Sequence, residues 1–432
     1  MQSKQSINAD DRKVFSREGY AFGIPLSFKE NRDDFRKENS MKRALAFAMA
    51  LLMGLAAVGC ESSGSEGGGG TAIVPESASG EYFTLGLIGP LSGSSAVSGQ
   101  ILENATIMAV NEINEEGGIN GEIPIKLVSI DDEGVPATSV TAMQRLVEQD
   151  QVQAVIGGQA SSCTMANMEI TEAAHIPQIT PASSNVAITQ SGNDYIYQLT
   201  ATDELHMRNV MQYMKDEYDA EKFAILYESS DFGTGGYKIA SQICDEFDLE
   251  MVDHEVYNAG DTDFSVALSK INNAEPDFII FWGYHTEVAM ICRQMLQYGV
   301  EYPVIGQGFN SPELTNLGGQ SINGIMISTA FDAANPDEKV QEFDRKYTEL
   351  YGEGYDQNAP QSYDAVYIIK DAVERCIEDG EDYTDSEVLN EYIGSTSWDG
   401  VTGVTTFDEN GKMNKDLLII QIQDGEHVIV KG

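Results

Sequence analysis

Residues 82–130 read YFTLGLIGPLSGSSAVSGQILENATIMAVNEINEEGGINGEIPIKLVSI. The two ends of this stretch, 82–88 and 125–130, are short and mostly apolar runs that predict buried strands. Between them, residues 99–115 carry apolar side chains at helical spacing. A strand, a helix and a second strand in this order are typical of proteins in which helices cover a parallel sheet. The stretch therefore predicts an α/β fold.

The alternation of strands and helices continues along the 432-residue chain in two series. In the first, strands are expected at 153–156 and 177–179, and helices at 137–149 and 164–174. In the second, strands are expected at 222–227, 250–257, 277–281, 304–305 and 324–329, and helices at 204–218, 234–247, 264–273 and 286–298. Further helices are expected at 336–351, 361–377 and 386–393, and strands at 401–407, 417–423 and 427–430. Two such series predict two Rossmann-like lobes with parallel sheets.

The segment 41–59 has the features of a secretory signal peptide: a basic start, an apolar run at 44–58 and a small residue before Cys60. The run is shorter than the roughly 20 residues that span a membrane. Its end, Ala57-Val58-Gly59-Cys60, resembles the lipobox of bacterial lipoproteins, in which the cysteine receives a diacylglyceryl anchor. The alternative is a buried cysteine in an apolar helix.

We therefore expect lipidation at Cys60 and an extracytoplasmic protein, in the periplasm or at the cell surface. Residues 1–40 are interpreted as an upstream extension that does not belong to the native protein. Residues 60–80 are rich in Gly, Ser and Glu and predict a flexible tether between the anchor and the lobes.

The composition excludes several classes of function. The formal net charge is −43, from 69 acidic and 26 basic residues, which excludes nucleic acid as a partner. The charge is read either as adaptation to a salty medium or as a bias of the lineage. The five histidines are scattered, and neither a G-x-S-x-G elbow nor a P-loop occurs. The sequence therefore predicts neither an enzyme nor a metal or cofactor site.

Four cysteines outside the lipobox lack C-x-x-C spacing: Cys163, Cys244, Cys292 and Cys376. They are interpreted as buried thiols, and their spacing does not decide whether one disulfide joins two of them.

The loops that follow the strands predict a small-molecule site, because ligands of open parallel sheets bind beyond the carboxyl ends of the strands. In the first lobe these loops (89–99, 157–164 and 180–185) are rich in Gly and Ser, which suits an anion held by backbone N–H groups. In the second lobe the loops carry Phe232, Trp282, Tyr284 and Phe309, which predict an apolar wall. The alternatives are that the serines are helix caps and that Trp282 belongs to the core.

Nine short motifs occur in a specific order along the body of the chain. They are 88–93 (IGPLSG), 111–114 (NEIN), 117–121 (GGING), 131–132 (DD), 155–157 (VIG), 179–182 (ITPA), 231–233 (DFG), 283–285 (GYH) and 407–411 (FDENG). Together they resemble the type I periplasmic solute-binding proteins of branched-chain amino acid ABC transporters, the Leu/Ile/Val-binding group. The likeness extends from about residue 82 to residue 430.

The resemblance implies two lobes joined by a three-crossover hinge, with crossovers near 200–203, 328–331 and 405–408. Lobe 1 would comprise 81–201 plus 330–406, and lobe 2 would comprise 202–329 plus 407–432. A ligand would bind between the lobes, and the closed form would dock on the permease of an ABC transporter. A monomer is expected.

The resemblance also assigns the ligand-binding residues. Ser161 would hold a ligand carboxylate, and Ala160 beside it is expected to belong to the same site. Ala182 and Ser184 would help to hold the ammonium and carboxylate groups, and Ser98 and Gln307 are expected to border the ligand as well. Tyr284 and Phe232 would pack against the ligand.

Three departures from the family pattern affect these expectations. Gln307 stands nearest the place of an acidic residue that pairs with the ligand ammonium, and Ser98 stands in place of an aromatic residue. Gly134 and Ala160 stand where the family has a disulfide. The pocket is therefore expected to suit a ligand other than Leu, Ile or Val, including one that lacks an ammonium group.

Three functions compete at this stage. The first is binding of an amino acid or related small carboxylate for transport. The second is a ligand-sensing module of the same fold, which would normally continue into a membrane span and a signalling domain; because the sequence ends at Gly432 without such a segment, sensing is the less expected of these two functions. The third, an enzyme, has no supporting motif, so transport-coupled binding is the expectation.

Overall fold

The computed structural model describes Val74 and residues 80–352, 354–413 and 415–431. The predicted extension, the signal peptide, Cys60 and nearly all of the predicted tether lie outside the described residues. Within the described chain, none of the helices combines the length and the apolar character that a membrane span requires.

The first lobe is built on a parallel sheet, for which the described chain supplies five strands in the order β2-β1-β3-β4-β5. The strands are β1 (Phe83–Gly89), β2 (Ile125–Asp131), β3 (Ala154–Ile156), β4 (Gln178–Thr180) and β5 (Ile196–Gln198). The helices between them are α1 (Ala96–Glu115), α2 (Pro136–Glu148) and α3 (Ser161–Ala173). Strand β1, which lies between β2 and β3, is buried on both faces, and this explains why its sequence is almost entirely apolar.

The second lobe has a mixed sheet, seven strands of which are described, in the order β14-β13-β10-β9-β8-β6-β7. Its parallel strands are β6 (Lys222–Glu228), β7 (Glu250–Tyr257), β8 (Phe278–Trp282), β9 (Val304–Gln307) and β10 (Met326–Thr329). Its helices are α4 (Asp203–Tyr218), α5 (Asp231–Ile243), α6 (Ser265–Ala274), α7 (His285–Tyr298) and α8 (Pro312–Gly318). Short 3₁₀ helices, Cys244–Phe247 and Gly319–Ile322, follow α5 and α8.

After β10 the chain returns to the first lobe. It forms α9 (Glu338–Tyr351), α10 (Asn358–Asp379), α11 (Ser386–Gly394) and the hairpin of β11 (Ser397–Gly400) and β12 (Gly403–Thr406). The buried face of α10, including Val366, Ile369 and Val373, packs in the same core as Phe83 and Leu85 of β1. The chain then adds β13 (Leu418–Gln423) and β14 (Glu426–Lys431), antiparallel, to the second sheet.

The described chain thus passes three times between the lobes, but the third passage differs from the predicted position at 405–408. The Phe407 ring packs on Tyr197 at 5.0 Å between ring centroids, and Met413 is buried in the core of the first lobe. The predicted turn at 408–411 is present, with Gly411 N donating to Asp408 O. This turn folds the chain back along β5, so the first lobe extends through Met413 instead of ending at 406.

The four cysteines of the described chain, Cys163, Cys244, Cys292 and Cys376, are buried free thiols, as one of the two sequence-based interpretations expected. Burial raises the pKa of the Cys163 thiol to about 12, because its charged form would lose hydration and would lie near the Asp132 carboxylate.

Candidate ligand-binding cleft

Loops of both lobes enclose a cavity of about 50 Å³. Seven of the eight residues predicted for the site line it: Ser98, Ser161, Ala182, Ser184, Phe232, Tyr284 and Gln307. The eighth, Ala160, does not line it; this residue occupies the N-cap position of α3, between the lining residues Gln159 and Ser161. The structure therefore brings together side chains from six strand ends, three in each lobe.

Ser161 is the first residue of α3 and only 2% exposed. Its Oγ accepts a hydrogen bond of 3.4 Å from the backbone N–H of Asn185, which fixes the α3 terminus against the loop after β4. A helix N-terminus presents backbone N–H groups and the positive end of the helix dipole. With the Ser161 hydroxyl beside it, this corner of the cavity can hold a carboxylate.

A buried hydrogen-bond network holds the first-lobe loops in place. The hydroxyls of Thr164 and Ser183 lie 2.7 Å apart, and Thr180 Oγ1 and Ser183 Oγ donate to the carbonyl of Gly158. Gln198 Nε2 in β5 donates to the carbonyl of Ser183. Buried polar groups that satisfy one another in this way rigidify their surroundings, so the loops present fixed groups to the cavity.

Ser184 connects the cavity to the start of the second lobe. Its Oγ donates to Oδ1 of Asp203, the first residue of α4, at 2.7 Å, and Asp203 N donates back to Ser184 O at 2.8 Å. The Asp203 carboxyl is fully buried, and burial raises its pKa to about 7.

The aromatic wall comes from the second lobe, as expected. The rings of Phe232 and Tyr284 lie 5.3 Å apart, and Trp282 packs behind Phe232 at 6.1 Å. Burial raises the pKa of the Tyr284 phenol well above its ordinary value, so this hydroxyl stays neutral and available to donate a hydrogen bond. Trp282 and Phe309 do not line the cavity, so for Trp282 the alternative that it belongs to the core is the one the structure bears out. Both are fully buried in the core of the second lobe.

Gly308 allows this wall to form. Its φ of +93° is in the region that favours glycine, and a Cβ there would lie 2.5 Å from Cζ of Phe232. A side chain at 308 would therefore displace the ring that borders the cavity.

Gln307 ends strand β9 and is 4% exposed. The oxygen of its amide, Oε1, is buried without a hydrogen-bond partner in the described chain. A buried polar atom without a partner costs about 1–3 kcal/mol, so this atom is suited to bonding a ligand.

Several polar residues of the cavity were not predicted for the site: Gln159, His285, Asn310, Ser311, Ser328, Asp356, Gln357 and Asn358. Gln159, His285 and Asn310 lie in loops that follow strands, and these loops were predicted to face the ligand. The segment 356–358 leads into α10 and does not follow a strand, so its place in the site could not be predicted in this way. The Gln357 side chain accepts hydrogen bonds from Thr329 Oγ1 and Ala330 N at the second crossover, and this anchors the segment at the cleft.

Two of these residues are tied to groups outside the cavity. Nε2 of His285 lies 2.6 Å from a carboxylate oxygen of Glu313. Ser328 Oγ lies 3.0 Å from Nδ1 of His206 and accepts from Asn209 Nδ2 at 3.1 Å. His206 is fully buried, and burial lowers its pKa to about 3, so this ring is neutral at physiological pH.

Among the described residues, no group of three or more His, Cys, Asp or Glu side chains is arranged to hold a metal ion. The arrangement in the cleft is that of a binding site for a small polar molecule, with hydroxyls and a helix N-terminus on one wall and aromatic rings on the other.

A model of the periplasmic binding protein family matches residues 83–426. The chain belongs to the periplasmic binding protein family. Proteins of this family bind solutes and are not enzymes.

This periplasmic binding protein is 27% identical over 338 residues to the Leu-, Ile-, Val-, Thr- and Ala-binding protein of Pseudomonas aeruginosa, with 77% of this chain and 87% of the relative covered. Among solved structures it is similar to the leucine-binding protein LivK of Thermotoga maritima, with a TM-score of 0.74, 25% identity, and coverage of 80% and 97%. It is also similar to LivJ of Streptococcus pneumoniae in complex with isoleucine, with a TM-score of 0.74, 27% identity, and coverage of 82% and 100%. The predicted family and the predicted two-lobe α/β fold are thus confirmed.

Proposed function

We propose that this protein is a lipid-anchored, extracytoplasmic solute-binding protein that captures an amino acid in its interlobe cleft and delivers it to the permease of an ABC transporter. The observation that carries the proposal is that Ser161 and Tyr284, which belong to different lobes, line one cavity. The relative from Pseudomonas aeruginosa is an amino-acid-binding protein, and LivJ is the substrate-binding protein of a branched-chain amino acid transporter, which supports the same class of ligand.

The ligand carboxylate binds at the N-terminus of α3, where the Ser161 hydroxyl and the backbone N–H groups meet it. Ala182 and Ser184 in the loop after β4 complete this wall, and Phe232 and Tyr284 cover the ligand from the second lobe. A ligand that contacts both walls favours the closed arrangement of the lobes over the open one. Closure then presents a surface with elements of both lobes to the permease.

The anchor belongs to the proposal as well. The cysteine of the motif at 57–60 carries two acyl chains, which is enough for stable membrane attachment. The Gly- and Ser-rich segment that follows gives the lobes freedom to reach a permease in the same membrane. The protein acts as a monomer, since the cleft is complete within one chain.

The deciding experiment is a calorimetric titration of the full chain, purified in mild detergent, with each of the twenty amino acids. We expect saturable binding of at least one of them at one site per chain, and loss of affinity in Ser161→Ala. Ser162→Ala is the matched control, because Ser162 is the next residue of α3 and does not line the cavity. If no amino acid binds, or if one is chemically converted instead of bound, the proposal is wrong.

A further inference from the structure

Most residues that line the cleft have polar side chains. Phe232 and Tyr284 are its large aromatic groups. The rest of the lining consists mainly of serines and of residues with amide side chains, among them Gln159, Gln357 and Asn358. An aliphatic side chain placed among these groups would separate them from water without offering a hydrogen bond in return.

Gln307 makes this argument specific. Its Oε1 is buried and has no partner in the described chain, although the residue borders the cavity. A site built around buried hydrogen-bonding groups rejects an analogue that lacks the matching group much more strongly than an apolar pocket rejects an extra methylene. The cleft is therefore suited to a ligand whose side chain can donate or accept hydrogen bonds.

Asp356 places a carboxyl group in the same cavity. It is 7% exposed, its Oδ1 accepts from the backbone N–H of Asn358 at 2.8 Å, and none of the ion pairs of the described chain includes it. The described lining contains no Lys or Arg, and its histidine, His285, faces Glu313. Burial raises the pKa of Asp356 to about 7, as expected for a carboxyl that lacks a positive partner.

The position of Asp356 is fixed by the hinge. The next residue, Gln357, is bonded to Thr329 and Ala330 at the second crossover, and Asp356 itself begins the turn into α10. The carboxyl is thus held at the point where the two lobes meet. A cation bound there would gain a charge-assisted hydrogen bond in a site with little water.

We propose that the cleft selects a small amino acid with a hydrogen-bonding side chain over its apolar isostere, and that Asp356 is the counter-charge for the ligand ammonium. This inference rests on the proposed function, because it assumes that the ligand is an amino acid. Gln307, in the second lobe, carries no charge. The proposal therefore places the negative charge for the ligand on Asp356, in the first lobe. The cavity of about 50 Å³ suits a compact ligand, since one water needs about 10–15 Å³ on the same measure.

The selectivity is tested with two isosteric pairs, L-asparagine with L-leucine and L-threonine with L-valine, each titrated into the full chain. We expect the polar member of at least one pair to bind tenfold or more tightly than its apolar isostere. Leucine and valine binding as tightly as their polar isosteres would overturn the inference and leave the proposed function standing. Failure of all twenty amino acids to bind would overturn both.

The counter-charge is tested first without a variant, by comparing the tighter-binding polar amino acid with its deaminated analogue, for example asparagine with succinamate. We expect the amino acid to bind at least tenfold more tightly. In Asp356→Asn, which keeps an oxygen for the Asn358 N–H, this preference should fall at least tenfold while affinity for the deaminated analogue stays within about threefold.

The matched control is Asp399→Asn, which makes the same charge change on an exposed side chain of the first lobe. It should leave both affinities unchanged. Equal affinity of the native protein for the amino acid and its deaminated analogue would overturn the assignment of Asp356, and so would an unchanged preference in Asp356→Asn.

Discussion

Ser184 Oγ donates a hydrogen bond of 2.7 Å to Oδ1 of Asp203, which joins a loop at the cleft to the first residue of the helix that opens the second lobe. A backbone bond from Asp203 N to Ser184 O runs beside it. Ser184→Ala leaves a buried carboxyl without its donor, so we expect the free energy of unfolding to fall by about 1–3 kcal/mol. Urea unfolding measures this, with Ser241→Ala, an exposed serine of α5, as control. Equal losses in both variants would contradict the prediction.

The same carboxyl predicts a dependence of stability on pH. Burial raises the pKa of Asp203 to about 7 in the folded chain, against about 4 when unfolded. The folded chain therefore holds this proton to higher pH, and its contribution to stability is complete below about pH 4 and is lost as the pH rises to about 7. In Asp203→Asn this contribution is absent. The measured quantity is the difference in the free energy of unfolding between the native protein and Asp203→Asn. This difference should fall by up to about 1.4 kcal/mol per pH unit between these limits. A difference that does not change with pH would contradict the prediction.

Ser161 is expected to contribute directly to ligand affinity. Ser161→Ala removes a hydroxyl that is 2% exposed and lines the cavity, and a ligand carboxylate would then lack one donor. We expect the binding free energy to weaken by about 1–3 kcal/mol, measured by calorimetric titration with the amino acid that binds most tightly. Ser162→Ala should bind as the native protein does. An unchanged affinity in Ser161→Ala would remove this serine from the site.

Most of the fold could be predicted from the sequence, because long strands and helices carry clear periodicity. The elements that escaped are short: β5 with three residues, β11 with four and α8 with seven. Such lengths contain too few apolar positions to show a period. Helix α3 begins three residues before its predicted start, because its first turn is made of Ser161, Ser162 and Cys163 and has little apolar character.

The site could be predicted where it depends on parallel strands, and it could not where it depends on tertiary contacts. Loops after parallel strands meet at one edge of their sheet, so Ser161 and Ser184 could be placed together in advance. Tyr284 follows a strand of the other sheet, and its expected place in the same cleft came from the family resemblance. Asp356 reaches the cleft because Gln357 bonds the second crossover, a contact between residues far apart in the chain. Neither periodicity nor spacing in the sequence indicates a contact of this kind.

Gly236 in α5 is expected to be intolerant of alanine, although alanine normally stabilises a helix. A Cβ at this position would lie 2.3 Å from Cδ1 of Trp282, which is fully buried behind the aromatic wall. We expect Gly236→Ala to lower the free energy of unfolding by about 1–3 kcal/mol through overpacking. Gly89→Ala is the control, because in the described chain no atom lies within 4 Å of the added Cβ. Thermal unfolding in which the two variants match would contradict the prediction.

Cys60 is predicted to attach the protein to the membrane. Cys60→Ser removes the thiol that would carry the two acyl chains, so we expect the protein to move from the membrane fraction to the soluble fraction. The measurement is immunoblotting of both fractions after expression in a bacterium that processes lipoproteins. Cys163→Ser serves as control, because this buried thiol lies in the first lobe. Continued membrane attachment of Cys60→Ser would show that the lipobox assignment is wrong.

Asn185 is expected to tune affinity without contacting the ligand, because it links the lobes beside the cavity. Its Nδ2 donates to the carbonyl of Asp231 at the start of α5 in the second lobe, at 2.6 Å, while its own N–H bonds Ser161 Oγ. Asn185→Ala removes this bond between the lobes, worth about 1 kcal/mol, together with the bond that Asn185 Oδ1 accepts from Ala187 N within the loop, and should shift the lobes toward the open state. We expect affinity to fall about fivefold, chiefly through faster dissociation, in stopped-flow measurements of ligand release. The control is Asn272→Ala on α6, away from the cavity, which should leave ligand release unchanged. An unaltered dissociation rate in Asn185→Ala would mean that the bond from Asn185 to Asp231 does not stabilise the closed lobes.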